Sequence, residues 1–343
     1  MRAVVLRAPG DVGVDTVPDP AILDPGDAIV QVSATAICGA DLFPFHGFTP
    51  GFENGTILGH EFTGTVAEVG SEVRSVRIGQ RVVCTSTISD GTCGHCRAGR
   101  ISQCQGRALF GYSGVYPRLD GGQAEFVRVP AADRCLLALD DAIPDEAAIF
   151  CADILPTGYA SVVRGGVGVG DTVVVLGCGP VGLMAVLCAV GVAGRVIAVD
   201  GIAERRQLAE RLGAEPIEPA AAEEVVLSAT GGLGADVVIE AAGAPAALDA
   251  SLRLCRGRGT ISVVGAHFEP DYPLDNALMF EKELTLRFTI GDPAHDRERL
   301  LGLVAAGRLD PTPVVTHRLA LADAAEGYRL FDQRLATKVV LTP

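Results

Sequence analysis

Hydrophobic and polar positions change their rhythm near residue 150. Before it, short alternating segments such as Ile29-Val30-Gln31-Val32 and Thr65-Val66-Ala67-Glu68-Val69 are separated by Gly and Pro, the pattern of a β-rich region. From Asp171 onward, strand-like runs alternate with helical ones. Thr172-Val173-Val174-Val175-Leu176 precedes a Gly turn and an apolar helix over 181–190. A strand over 195–200 and an amphipathic helix over 203–212 follow, and 236–240 and 260–265 supply further buried strands. Repeated β-α-β units predict a parallel sheet with helices on both faces. The chain opens on the strand-like Met1-Arg2-Ala3-Val4-Val5-Leu6-Arg7, without the apolar block of a signal peptide. It ends in Lys338-Val339-Val340-Leu341, an apolar strand expected to fold back onto the first domain. No internal repeat or low-complexity linker is present.

A chain of 343 residues fits two domains at a prior of about 150 residues each. Lys and Arg total 28 against 42 Asp and Glu, a formal net charge of −14. Such a chain repels a phosphate backbone or an anionic leaflet, so no nucleic-acid or membrane partner is expected. No apolar run approaches a membrane span, and the expected location is cytoplasmic. In a reducing compartment, clustered cysteines point to metal and scattered ones to packing. Cys93, Cys96 and Cys104 cluster; Cys84, Cys135, Cys151, Cys178, Cys188 and Cys255 lie among apolar neighbours.

Gly177-Cys178-Gly179-Pro180-Val181-Gly182 matches G-x-G-x-x-G between a strand and a helix. The first Gly permits the tight turn, the second lets a pyrophosphate approach the backbone, and the third lets helix pack on strand. The helix N-terminus offers free N–H groups to the phosphates. Asp200 closes the second strand, where a carboxylate accepts the ribose hydroxyls of NAD and repels the extra phosphate of NADP. Arg205 and Arg206 lie nearby, either answering a phosphate or forming a solvated helix face. NAD is the expected cofactor.

Cys38-Gly39-Ala40-Asp41 and Gly59-His60-Glu61 each follow an apolar segment. A thiolate and a neutral imidazole suit zinc, and a third ligand with an open position makes such a site catalytic. Alone, either motif also reads as core packing.

Taken together, Cys38, Gly59-His60-Glu61, Asp153-x-x-x-Thr157-Gly158 and Gly177 to Gly182 resemble the zinc-containing medium-chain alcohol dehydrogenase family over essentially the whole chain. The resemblance implies an α/β chain: a Rossmann doubly wound parallel-sheet domain over 155–289, binding NAD, inserted in a β-rich GroES-like catalytic domain from 1–154 and 290–343. It implies that active-site residues converge between the two. It places Cys38, His60 and Asp153 on a catalytic zinc, with Glu61 as an adjacent or exchanging ligand and Asp41 orienting the imidazole. Many members have Cys where Asp153 stands; a carboxylate keeps the ligand charge and strengthens the metal as a Lewis acid. Thr157, Gly158, Gly265 and Lys338 join Gly177, Gly179, Pro180, Val181, Gly182, Asp200 and Arg205 at the cofactor.

The family also places four cysteines in a lobe that binds structural zinc. This chain keeps Cys93, Cys96 and Cys104 and has Asp90 in the first place. Three thiolates and a carboxylate complete a tetrahedral site; His95 and Cys84 are alternative ligands, and a degenerate lobe without metal is the remaining reading.

One departure bears on mechanism. Relatives active on alcohols usually carry Ser or Thr where Ala40 stands, and often a histidine where Phe43 stands, to relay the alcohol proton. Losing a positioned proton acceptor typically costs about a hundredfold or more. His46, Glu61, a substrate hydroxyl or water are the possible substitutes, although His46 in its Gly-rich loop also reads as a surface residue. Phe45, Phe48, Phe52, Phe110 and Tyr112 suggest a partly aromatic substrate cleft or ordinary core. The expected function is zinc-dependent hydride transfer between NAD(H) and an alcohol/carbonyl pair of a small molecule. A reductase of conjugated C=C bonds using NAD(P)H is the enzymatic alternative, and a non-catalytic NAD- and zinc-binding scaffold the other. The resemblance further implies a homodimer or homotetramer formed through the edge strand at 284–288.

Overall fold

A ten-residue strand, Ala28–Ile37, organises the first half of the fold. It is buried along almost its whole length, with only Gln31 exposed, and it pairs antiparallel with Glu61–Val69, Phe126–Val129 and Val339–Thr342. In a computed structural model that describes residues 1–269 and 271–343, this strand belongs to one of two compact units, formed by Met1–Asp153 with Asp292–Pro343. Its seven-stranded sheet runs His317–Ala320, Val339–Thr342, Ala28–Ile37, Glu61–Val69, Arg81–Cys84, Leu136–Ala138, with Phe126–Val129 alongside Ala28–Ile37. The last strand of the chain therefore lies in the sheet of Ala28–Ile37, while Arg2–Ala8 and Asp11–Thr16 form a separate two-stranded sheet. Phe62 and Phe110, both fully buried, meet edge to face at 5.2 Å in this unit's core.

The other unit is Ile154–Gly291. Six strands lie in the order Glu215–Ile217, Arg195–Val199, Thr172–Leu176, Ala235–Glu240, Cys255–Val263, Thr285–Phe288, and every pairing is parallel. Counted along the chain the order is 3-2-1-4-5-6, the doubly wound arrangement whose ligand crevice opens at the carboxyl ends of the first and fourth strands. The strand expected at 260–265 begins earlier, at Cys255, because a bridge to Ala235 extends the pairing. Thr285–Phe288 is an edge strand, with Phe288 exposed and Phe280 still more so. Among the described residues no single helix is long and apolar enough to cross a membrane.

The turn after the first strand of this unit requires glycine at two points. Gly177 has φ +93°, and a Cβ there would fall 2.8 Å from Ala242 Cα. A Cβ on Gly182 would fall 1.8 Å from Gly177 O, a clash with backbone that no rotamer relieves. Gly182→Ala is expected to lower the stability of the ligand-free protein by about 1–3 kcal/mol in urea unfolding. An unchanged midpoint would show that the turn is looser than its geometry indicates.

Candidate functional site

Three donor atoms from distant parts of the sequence converge at one end of the first unit's sheet. Cys38 directly follows the strand Ala28–Ile37, and His60 directly precedes Glu61–Val69, whose register sets Ala36 opposite Glu61. Asp153 follows the 3-10 turn Ile149–Ala152, which is tied to the sheet by Ser86 N donating to Ala152 O at 3.0 Å. Asp153 Oδ2 lies 3.9 Å from Cys38 Sγ and 3.6 Å from His60 Nε2, and all three donors fall within 4.8 Å of one another. Ligand bonds of about 2.0–2.3 Å in a tetrahedron require edges of about 3.3–3.8 Å, so the set fits a zinc ion with little adjustment. Cys38 and His60 are buried, whereas the Asp153 side chain keeps 24% of its surface exposed.

Each donor is held from behind. Ser86 Oγ donates to Asp153 Oδ1 at 2.9 Å. Asp41 Oδ2 accepts from Cys38 N at 3.0 Å, and its other oxygen faces His60 Nδ1 at 3.2 Å. Burial pulls His60 down, but Asp41, Cys38 and Asp153 outweigh it and hold the imidazole's pKa well above its ordinary value. Burial pushes the Cys38 thiol up, and Glu61 adds to that push. Burial would also raise Asp153, yet its hydrogen bond and charge contact with His60 and the Ser86 hydroxyl leave it below its usual value. A concentration of negative donors that holds a proton on its imidazole is the electrostatic signature expected where a divalent cation would replace that proton.

Two other expected site residues pair with each other. Glu61 is not among the converging donors: its Oε2 accepts from Lys338 Nζ, with both side chains fully buried. Lys338, expected at the cofactor, spends its ammonium on Glu61 and on Ile37 O at 3.3 Å. The cause is register: Ile37 pairs with Val339, which sets Lys338 beside the strand end that carries Cys38. Burial lowers the Lys338 pKa, but Glu61, Cys38 and Asp153 more than restore it and keep the ammonium charged. Glu61 Oε1 remains buried without a hydrogen bond.

Asp90, Cys93, Cys96 and Cys104 form the second group of donors within 4.8 Å. Asp90 Oδ1 accepts from Thr92 N and Cys93 N at 2.7 and 3.0 Å, which closes the loop and holds the carboxyl well below its usual range. Cys96 N donates to Cys93 Sγ at 3.5 Å, and Asp90 N to Cys104 Sγ at 3.3 Å. Backbone N–H groups of Cys96 and Gln105 bring Cys93 down to about 7, while burial and the two neighbouring thiols push Cys96 up to about 12. His95 and Cys84, the alternative ligands, are outside the group.

In the second unit, Asp200 holds the glycine turn: its Oδ2 accepts from Cys178 N and its Oδ1 from Ile202 N, both at 2.7 Å. A Cβ on Gly179 would meet only Arg205 Nη1, at 3.9 Å, so this face of the turn is open beside a guanidinium. Arg206 is engaged elsewhere, with Asp200 O at 2.8 Å and Glu218 at 2.7 Å. Pro180 and Val181 open the helix Pro180–Val190, and Thr157 lies in the helix Ile154–Gly165 against Gly291. Gly265 abuts Gly243 N, where a Cβ would fall 2.3 Å away. Sequence reasoning missed Glu240. Fully buried, it accepts from Ala242 N and Gly243 N at 2.9 and 2.8 Å and meets His267 Nε2 at 3.0 Å, fixing the turn that touches Gly177.

Of the aromatic residues, Phe110 belongs to the core, and Phe48 is exposed. Tyr112 is buried and donates its hydroxyl to Ala40 O. His46 Nε2 pairs with Asp332 Oδ1 at 2.7 Å on the surface.

Comparison with known proteins agrees with this geometry. Residues 24–141 match the alcohol dehydrogenase GroES-like domain, and residues 180–306 match the zinc-binding dehydrogenase family. Zinc-type alcohol dehydrogenase B of Aspergillus flavus is 37% identical, covering 99% of this chain and 81% of its own. L-threonine 3-dehydrogenase of Bacillus licheniformis is 32% identical, covering 100% of this chain and 99% of its own. The solved alcohol dehydrogenase TADH from Thermus sp. ATN1 superposes with a TM-score of 0.95 at 39% identity, covering 100% of this chain and 99% of its own.

The buried ion pair makes a clear prediction. Glu61→Gln strands the Lys338 ammonium in the interior and is expected to cost about 3–5 kcal/mol in denaturant unfolding. Adding Lys338→Met should recover a large part of that loss; a double variant no more stable than Glu61→Gln would contradict the pairing.

Proposed function

This chain belongs to the zinc-dependent medium-chain alcohol dehydrogenase family and is an oxidoreductase, and from that premise we propose that it transfers a hydride between NAD(H) and an alcohol/carbonyl pair of a small molecule. The convergence of Cys38, His60 and Asp153 carries the reading. A zinc ion held there supplies Lewis acidity at a substrate oxygen, and the dinucleotide supplies or accepts the hydride. Cys38 and Asp153 would contribute two negative donors that balance a dication, and Asp41, 3.2 Å from His60 Nδ1, would favour the proton on that nitrogen and leave Nε2 to the metal. The Glu61–Lys338 pair adds no net charge beside them. Reduction of a conjugated C=C bond has no need of a thiolate, imidazole and carboxylate gathered at one point, which places the alcohol/carbonyl reading ahead.

Support for NAD over NADP comes from Asp200, whose carboxylate sits at the end of the second strand of its sheet, while Arg206 is committed to Glu218. Gly177, Gly179, Pro180, Val181 and Gly182 would cradle the pyrophosphate, with Arg205 over the open face of Gly179. Thr157 and Gly265 would serve the nicotinamide half. Asp90, Cys93, Cys96 and Cys104 would hold a second, structural zinc, since a carboxylate already ionised in its loop completes three thiolates. Ten free cysteines support a reducing, cytoplasmic setting. The exposed Phe280 and Phe288, at an edge strand whose outer side pairs with no other strand among the described residues, support assembly into a homodimer or homotetramer, and a monomer in sedimentation would contradict it.

Zinc quantification together with a cofactor-linked panel of alcohols, aldehydes and enals tests the proposal. Two zinc ions per chain, NAD preferred over NADP, and turnover of alcohols or carbonyls are expected. Selective turnover of enals at the C=C bond would favour the alternative reductase, and cofactor and metal binding without turnover the scaffold.

Ala40 supplies no hydroxyl to take the alcohol proton, and the nearby Tyr112 hydroxyl is already donated to Ala40 O. Ala40→Ser is therefore expected to raise turnover with simple alcohols by about tenfold or more, most visibly below neutral pH, where losing the proton is hardest. A variant identical to the wild type in rate, pH profile and product would show that the proton leaves by another path.

A further inference from the structure

Behind His60 and Asp41 stands a third layer that no cysteine, histidine or glycine motif marks. Gln123 is fully buried. Its Nε2 donates to Asp41 Oδ2 at 3.3 Å and to Ala36 O at 3.2 Å, and its Oε1 accepts from the Tyr328 hydroxyl at 2.9 Å. The amide has one workable orientation, since flipping it would set its oxygen against a carbonyl and a carboxylate. Tyr328, also buried, comes from the helix Ala324–Asp332 near the end of the chain. Gly59, at φ +96°, makes room for this arrangement: a Cβ there would fall 2.4 Å from Gln123 Cγ, immediately before His60.

Two donors thus converge on the same oxygen of Asp41, Cys38 N and Gln123 Nε2. Together they occupy Oδ2 and leave Oδ1 facing His60 Nδ1 at 3.2 Å. With Nδ1 turned toward Asp41, Nε2 is left on the side of Asp153 and Cys38. Resting on the metal-binding reading above, we infer that Gln123, locked by Tyr328, is a positioning residue for the metal site, acting through Asp41 on His60. The chain's C-terminal helix is thereby coupled to ligand geometry without touching metal or substrate.

The test uses full-length protein stripped of metal and titrated with Co(II), following the part of the thiolate-to-cobalt spectrum that Cys38→Ser abolishes. Gln123→Met removes both polar atoms at similar length, and Tyr328→Phe removes only the hydroxyl. Outer-layer partners of metal ligands typically contribute 10–100-fold in affinity, so Gln123→Met is expected to weaken this Co(II) binding about tenfold and Tyr328→Phe a few-fold, with a shifted d–d band in both. Binding by Asp90, Cys93, Cys96 and Cys104 should stay unchanged in the same samples. Equal affinity in wild type and both variants, or equal weakening at both metal positions, would overturn the inference. If Gln123→Met does not fold, Tyr328→Phe decides. A wild type with no Cys38-dependent cobalt spectrum would instead remove the metal-binding reading itself.

Discussion

Strand register is the constraint on which the candidate site depends. Setting Ala36 opposite Glu61 and Ile37 opposite Val339 brings the end of one strand and the starts of two others to a single edge. Cys38, His60, Glu61 and Lys338 are then neighbours although the chain separates them widely. A slip of one residue would turn each side chain to the opposite face of the sheet and disperse the group. Thr35 Oγ1 donating to Glu61 O at 2.9 Å, buried between the strands, helps to pin that register.

Gathering these side chains buries charge, and the structure compensates each one locally. Glu61 takes the Lys338 ammonium, Asp41 faces the His60 ring and receives two N–H donors, and Asp153 receives the Ser86 hydroxyl. The arrangement separates two tasks. One ion pair fastens the C-terminal strand to the sheet, while three donors remain together for a metal, with the Asp153 edge partly open. In the other unit the same economy appears at Glu240, which holds the turn touching Gly177 through backbone N–H groups rather than through a partner of opposite charge alone.

What could be read from the chain beforehand follows from how local each signal is. The glycine turn is contiguous, and its neighbours Leu176 and Pro180 announce strand and helix, so the doubly wound sheet was legible. Cys38, His60 and Asp153 were legible through their resemblance to a known spacing, not through any local pattern. The pairing of Lys338 with Glu61 was not legible, because the two lie 277 positions apart and only the pairing of Ile37 with Val339 unites them. Gln123, Tyr328, Ser86 and Glu240 act through buried hydrogen bonds that form only once distant segments meet, and residue type alone does not distinguish such a group from an ordinary buried polar side chain.

The account stands on one claim, that Cys38, His60 and Asp153 share a metal ion. Anomalous diffraction from crystals of the zinc-loaded protein at the zinc absorption edge tests it directly. The account predicts a peak about 2.3 Å from Cys38 Sγ and about 2.0–2.2 Å from His60 Nε2 and an Asp153 carboxylate oxygen. A zinc-loaded crystal with no peak there, or with His60 turned off Asp41 and away from the peak, would contradict it.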